Sequence, residues 1–341
     1  MNGSRRGRIV VTGGAGLIGS ALVWQLGRDG TDDAIVVDRL GTSEKWKHLS
    51  ALRFSDYLEA DDFYERIERS PDAFGPIDAV YHLGACSATT ERDAAYLIRN
   101  NVGCSQQIAR WALARDARFV YASSAATYGP LESDLREDLD PHSLRPLNMY
   151  GYSKQLFDLW ARREGLLDRV VGLKFFNVFG PNEDHKADMR SVVAKAYEQI
   201  LVDGSIKLFR SYRADIADGE QTRDFLYVKD AVAIALHLGR SPRANGLFNV
   251  GGGVARTWND LARSIFAALE RPVHIEYVAM PEILRQKYQY RTEATIDRLR
   301  ASGYAAEITS LEASVADYVR TYLMPGVSLG NESPRIAQPV P

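Results

Sequence analysis

The chain has 341 residues, 45% apolar and 25% charged, which fits a globular protein of one large or two smaller domains. That composition excludes collagen-like, coiled-coil and wholly disordered chains. Lys plus Arg (42) nearly balances Asp plus Glu (44), so charge gives no ground for a nucleic-acid or membrane-surface partner.

The basic start MNGSRRGR runs into a short apolar stretch and then glycines, not into the apolar core of a signal peptide. No run approaches the ~18 apolar residues of a membrane span. The two cysteines, Cys86 and Cys104, make neither a disulfide framework nor a zinc cluster, and no metal site is expected. The cytoplasm is the expected compartment.

In chain order, Ile9–Thr12 reads as a buried strand, Leu17–Arg28 as a helix and Ala34–Asp38 as a second strand. Asp78–Leu83 is a third strand, and Tyr96–Arg115 has the spacing of a long helix. Arg118–Ser123, a helix at Tyr152–Arg163 and a strand at Val170–Phe175 continue the pattern. Continuous Val/Ile/Leu runs alternating with amphipathic stretches predict a doubly wound α/β fold with a parallel sheet. Beyond residue 176 the alternation loosens. Gly180 to Lys186 reads as a loop, Met189–Asp203 as a helix and Ser211–Arg223 as irregular. Helices at Ala231–Arg240, Trp258–Leu269 and Ser310–Leu323, with a strand at Leu247–Val250, complete a smaller C-terminal substrate-binding lobe. The expected division is 1–176 for dinucleotide binding, with later pieces near 225–253, then 177–325 for substrate. The Gly/Ser/Pro-rich stretch 326–341 is expected to be disordered.

The turn Gly13-x-x-Gly16-x-x-Gly19 joins the first strand to the first helix. It allows close backbone approach to a diphosphate, and the helix N-terminus offers free N–H groups and a positive dipole end. A glycine triplet alone says little. Here it follows a strand, opens a helix and precedes Asp38 at the end of the next strand. Asp38 can accept from a ribose 2′-hydroxyl, which favours NAD, whereas Arg39, Lys45 and Lys47 can hold a 2′-phosphate, which favours NADP, or simply form a solvated basic loop.

Tyr150 and Lys154 stand four apart on one helix face. A nearby ammonium lowers a phenol's pKa, so Tyr150 is expected to exchange a proton with an alcohol near neutrality. Ser124, ending a strand, is the expected hydrogen-bond donor to the reacting oxygen; it also suits a helix cap.

TGGAGLIG, HLGA, SSAATYG, YGYSK and RDFLYVKD occur in the order found in extended short-chain dehydrogenase/reductases that act on nucleotide sugars, and the chain resembles that family over roughly residues 8–325. The resemblance implies a Rossmann-like fold, a bound nicotinamide dinucleotide and a nucleotide-sugar substrate. Family dehydratases carry Thr-Asp-Glu where this chain has Ser124-Ala125-Ala126, and alanine moves no proton. GACSATTE, PLNMYGYSK, FFNVFGPNEDHK and GEQTRDF resemble instead the family's epimerases of ADP-linked heptoses, which supply lipopolysaccharide core heptose.

That resemblance implies inversion by oxidation to a carbonyl and reduction from the other face, with proton transfer by Tyr150 on one side and Lys186 on the other. It assigns Leu17, Ile18, Asp38, Arg39, Lys45, Leu83, Gly84, Ala85, Cys86, Ser87, Asn100, Lys154 and Val178 to the cofactor path, with Lys186 beside it. It assigns Ser124, Asn177, Asp188, Lys195, Phe209, Arg210, Ser211, Tyr212, Arg223 and Tyr288 to the substrate. Arg223 suits a diphosphate clamp, or else an ion pair with Asp224. The family pattern has Glu where Leu83 stands, Ser or Arg where Asp188 stands, and His in some members where Lys195 stands. The resemblance also implies a homo-oligomer, plausibly a pentamer. Two other functions fit the motifs: an epimerase of another sugar nucleotide, such as a UDP-hexose 4-epimerase, and a non-catalytic dinucleotide sensor.

Overall fold

Seven parallel strands form the central sheet in the computed structural model, which describes residues 7–285 and 288–332. The strands are β1 (Arg8–Thr12), β2 (Ala34–Asp38), β3 (Asp56–Glu59), β4 (Ile77–His82), β5 (Arg118–Ser124), β6 (Val170–Phe175) and, after a long excursion, Gly246–Val250. Naming the intervening short strands β7 (Asn177–Phe179), β8 (Ile206–Phe209) and β9 (Thr222–Tyr227) makes that last one β10, and the order is β10-β6-β5-β4-β1-β2-β3. Successive residues point to opposite faces, so each strand feeds two cores. Val11, Val36, Tyr81 and Val120 face one core, while Val10, Ile35, Val80 and Phe119 face the other.

Helix α1 (Leu17–Arg28) packs with a later helix, Val228–Arg240, on the first face. The second face is covered by α2 (Ala60–Arg69), α3 (94–113) and α4 (Met149–Arg163) through Phe63, Ile67, Ile108, Trp111, Phe157 and Trp160. Neither β3 nor α2 was predicted. The strand is short and partly exposed, so its DYLE alternation is faint, but the Ala60, Phe63, Ile67 spacing of α2 is a readable helical stripe. The long helix α3 contains one π-helical stretch, Ile98–Gly103, which turns both Asn100 and Asn101 inward.

In the second lobe, β7 pairs with β9 in a small sheet closed by β11 (Ala255–Thr257), and β8 pairs with β12 (Ile275–Val278). The longer helices of this half are α5 (Val192–Asp203), α6 (Val228–Arg240), α7 (Trp258–Ala268) and α8 (Leu311–Asp317). Their apolar faces join the first-face core of the central sheet, so the two lobes share one hydrophobic core.

The expected disorder of 326–341 fails for its first seven residues. Leu329 is fully buried, and its N–H donates to Asn182 (3.2 Å). Residues 333–341 lie outside the described part. Among the described residues, no helix is long and apolar enough to cross a membrane.

Candidate active site

The carboxyl ends of the central strands meet in one cleft, the place where open parallel sheets bind ligands. At the end of β1 the chain turns through Gly13, whose φ is +68°. A Cβ there would stand 2.6 Å from the N of Gly84, and one at Gly19 would collide with the Gly13 carbonyl. The glycines therefore let three backbone segments touch. Gly16 caps α1 without a side chain, and Ser20 is the first residue to donate back, to Gly16. The N–H groups of Leu17, Ile18 and Gly19 thus face the cleft side of the helix end without an intrahelical carbonyl.

A polar floor fixes the loop after β4. Thr12 Oγ lies 2.7 Å from His82 Nδ1 and accepts from Gly84 N (3.2 Å); His82 Nε2 reaches Ser105 Oγ at 2.7 Å. Burial pushes His82 down to about 3, so the ring is neutral. Asn101 accepts from Cys86 N (2.9 Å) and donates to Cys86 O (2.9 Å) and to Ser153 Oγ (3.0 Å). It pins the 83–87 loop to α4. Neither His82 nor Asn101 was expected in the site. Their only sequence signals are an imidazole at a strand end and an amide beside Asn100.

At the far end of the glycine turn, Asp38 is held by three donors. It accepts from Ala15 N (2.8 Å), Arg39 N (2.7 Å) and Lys45 Nζ (2.6 Å). Arg39 reaches Asn100 (2.8 Å) and Asp61 (2.6 Å). Asp38, Arg39, Lys45, Asn100 and Cys86 line a cavity of about 200 Å³. It shares Gly13, Asp38, Lys45, Gly84 and Ala85 with a neighbouring cavity of about 270 Å³ that runs to Tyr150. Lys47 pairs instead with Glu44 on the surface.

In the larger cavity, Ser124 ends β5 and caps the next turn through Ala126 N (3.1 Å). Its hydroxyl stands beside the Tyr150 phenol, and both line the cavity. Asn148 caps α4 through Gly151 N (2.8 Å), which sets Tyr150 in the first helical turn. Burial pushes the Tyr150 phenol up, with the Ser124 hydroxyl opposing. The expected lowering by Lys154 does not occur, because its ammonium is turned to the Ala122 carbonyl (2.8 Å). Burial pushes Lys154 itself down to about 8, against the pull of Asp158. Beneath them Asp158 accepts from Tyr121 (2.9 Å), Ser123 (2.8 Å) and the buried Lys174 (3.0 Å).

Lys186 comes from the turn Asp184–Met189, beyond β7, and lines the same cavity as Ser124, Tyr150, Leu83, Ser87 and Val178. Burial lowers its pKa, opposed by Glu183. Lys186 also borders a second chamber of about 220 Å³ with Asn177, Val178 and Trp258. Trp258 opens in turn onto a third of about 340 Å³, lined by Lys195, Phe209 and Tyr288 among others.

Arg223 is buried between Trp258 and Tyr288, with its guanidinium 5.5 and 5.0 Å from their rings. It forms no pair with Asp224, whose carboxylate accepts from the N–H groups of Gly252, Gly253 (2.9 Å) and Ala294 (2.9 Å). The ion-pair alternative for Arg223 is thereby removed.

Five expected substrate residues line none of these chambers: Arg223, whose flanking Trp258 and Tyr288 do line them, and four others. Arg210 Nε donates to Tyr277 O (3.2 Å), Ser211 N to Asp218 (2.7 Å), and Tyr212 lies half-exposed beneath Arg285. Asp188 is exposed, and only its carbonyl is engaged, by Lys195 (3.3 Å).

The cleft fits a dinucleotide on its own evidence. The glycine turn admits no side chain, free helix N–H groups face it, and His185, which lines it, has a buried Nδ1 with no hydrogen-bond partner among the described residues.

A curated protein of Nitratidesulfovibrio vulgaris (strain DP4) named ADP-L-glycero-D-manno-heptose-6-epimerase is 55% identical over 316 residues, covering 92% of this chain and 97% of that protein. One of the same name from Fusobacterium nucleatum is 43% identical, over 92% of this chain and 98% of its own length. The crystal structure of the Helicobacter pylori ADP-L-glycero-D-manno-heptose-6-epimerase superposes with a TM-score of 0.78 at 24% identity, over 92% of this chain and 96% of that one, and supports the fold. The family model for the NAD dependent epimerase/dehydratase family matches residues 9–251, and the chain belongs to that family.

Proposed function

We propose that the protein is an NADP-dependent isomerase that inverts C6 of ADP-D-glycero-D-manno-heptose to give the L-glycero epimer. The observation that carries this reading is a phenol and an amine, Tyr150 and Lys186, brought from different elements into one cavity beside the glycine turn. The 55% identity to a curated heptose epimerase supports the choice of sugar.

Bound dinucleotide supplies a hydride acceptor for the carbinol and a hydride donor for the resulting carbonyl. The protein's own residues manage protons and position. Burial shifts both groups toward their neutral forms, the Tyr150 phenol upward and the Lys186 ammonium downward, and this reading assigns one proton transfer to each. Ser124 would donate a hydrogen bond to the reacting oxygen, and Lys154, anchored at Ala122, would hold the nicotinamide ribose. Reduction from the other face needs the proton partners to exchange roles, which two groups on separate elements allow. Arg223 clamps the diphosphate from its aromatic slot. Ala125 and Ala126 supply no further acid or base, which disfavours dehydration.

NADP is preferred over NAD in this reading because two cations, Lys45 and Arg39, flank Asp38 in the cavity, and its carboxylate already accepts from Lys45 and two backbone N–H groups. The partner of Arg39, Asp61, is 80% exposed, and so weak a surface pair yields readily to a 2′-phosphate. We also infer a homo-oligomer, plausibly a pentamer, from the family resemblance; sedimentation velocity tests it.

Proton NMR of ADP-D-glycero-D-manno-heptose with the purified protein and catalytic NADP tests the reaction. The L-glycero epimer should appear without net reduction of the cofactor. An unchanged spectrum, with UDP-hexose turned over instead, moves the assignment to another sugar. Cofactor binding with no turnover of either moves it to a sensor.

A further inference from the structure

One buried side chain joins the glycine turn to the segment that carries Lys186. His48 ends the short turn Glu44–His48 and is fully buried. Its Nδ1 lies 2.7 Å from the carbonyl oxygen of Ala15, and its Nε2 lies 2.6 Å from Oδ1 of Asp184. Both partners only accept. A neutral imidazole carries one N–H and would set a bare nitrogen against a lone pair at one of the two contacts. A doubly protonated ring satisfies both, and its bond to the carboxylate is charge-assisted.

The two contacts span 33 and 136 positions of chain. On one side, Ala15 is gripped at both ends of its backbone, its N–H by Asp38 (2.8 Å) and its carbonyl by His48. On the other side, the 184–189 segment is held at its ends. Glu183 accepts from Ser191 N (2.6 Å) and Tyr318 (3.0 Å), and Arg190 donates to Ala187 O (3.1 Å). Between them Ala187 sits at φ +46°, a left-handed conformation that a non-glycine residue does not adopt by local preference. Lys186 makes no side-chain hydrogen bond or ion pair among the described residues, so its reach into the cleft follows its backbone.

Other titratable groups do not compete for the role. Those facing the pair are His185 and Lys186 on the opposite segment and Lys45 on His48's own turn. Lys45 is paired with Asp38, and burial pushes His185 down to about 4, so it is neutral.

We propose that His48 and Asp184 are positioning residues: as an imidazolium–carboxylate pair they hold the Asp184–Met189 segment against the glycine turn and so set the reach of Lys186 into the cleft. This rests on the reading of Lys186 as a proton-transfer group.

The carboxylate of Asp184 is 60% exposed, so its replacement leaves the core intact. Asp184→Ala and Asp184→Asn are compared with the wild-type protein by three measurements. The first is ¹⁵N NMR of the His48 ring at neutral pH, where both nitrogens should be protonated in the wild type. The second is the rate of Lys186 acetylation by acetic anhydride, followed by mass spectrometry with Lys207 as internal reference; it should rise about fivefold in Asp184→Ala as the segment opens more often. The third is steady-state epimerisation, in which kcat should fall about tenfold while KM changes less than about twofold. Asp184→Asn, which still accepts from Nε2, should fall between. A His48 ring with one bare nitrogen in the wild type, or an unchanged Lys186 rate in Asp184→Ala, overturns the proposal. If no variant and no wild-type sample epimerises the heptose, the NMR and labelling results still decide it, and the failure belongs to the functional reading.

Discussion

Around the glycine turn the cleft is walled by backbone, whereas around Lys186 and Arg223 it is walled by side chains drawn from distant elements. On the first side, Gly13 packs directly against both Gly19 and Gly84, and free helix N–H groups line the wall. On the second, Arg223 is set by Trp258 and Tyr288, and Lys186 by a turn pinned through His48, Glu183 and Arg190. The first arrangement tolerates no added atom but needs little from elsewhere. The second tolerates side-chain change but depends on long-range contacts.

The sharpest break of that contrast is Gly13→Ala. With φ at +68° and a Cβ 2.6 Å from Gly84 N, cofactor affinity should fall about 1,000-fold, or ~4 kcal/mol, in a fluorescence titration. An affinity within about threefold of wild type would show that the turn is not backbone-limited.

Next comes acid stability. The folded-state pKa of His82, about 3, lies below its value in the unfolded chain, so the unfolded state takes the proton first. Its stabilising contribution is full above the unfolded value, near 6.5, and is lost as pH falls toward 3; His185, at about 4, acts with the same sign. Lowering the pH from 6.5 to 4.5 should cost about 2–3 kcal/mol through His82, read by denaturant titration. His82→Asn should flatten that limb; an unaltered slope would exclude His82 as its source.

On the substrate side, Arg223→Ala should raise KM about 30-fold, ~2 kcal/mol, with kcat nearly unchanged, since it removes a charge-assisted clamp remote from the reacting carbon. A fall in kcat alone would place Arg223 nearer the chemistry. The smallest effect expected is for Arg39→Ala, which should cut the preference for NADP over NAD about tenfold, ~1.4 kcal/mol. No change in that ratio would leave Lys45 as the discriminating cation.

The same contrast governs what could be read from the residues alone. Gly13, Gly16, Gly19, Tyr150 and Lys154 were legible because their chemistry depends on spacing along one strand–turn–helix or one helix face. Ser124 was legible as a strand end. Asn101, His82 and His48 were not, because each acts through partners tens to more than a hundred residues away. Asp158 left a usable signal, standing one turn beyond Lys154 on the same helix. The direction of the Tyr150 shift could not be read from Lys154's position four residues on, since it depends on where the ammonium points and how deep the phenol lies. Residues 326–332 misled because their Gly and Ser outnumber the two apolar side chains, Val327 and Leu329, that pack on the core.

The central claim, two proton-transfer groups on separate elements of one cleft, is tested most directly by measuring kcat for Tyr150→Phe and Lys186→Met on the same heptose substrate, each shown to bind NADP as tightly as wild type. Both should lose about 10²–10⁴-fold in kcat, the contribution of a positioned acid–base group. Full activity in either variant would contradict it.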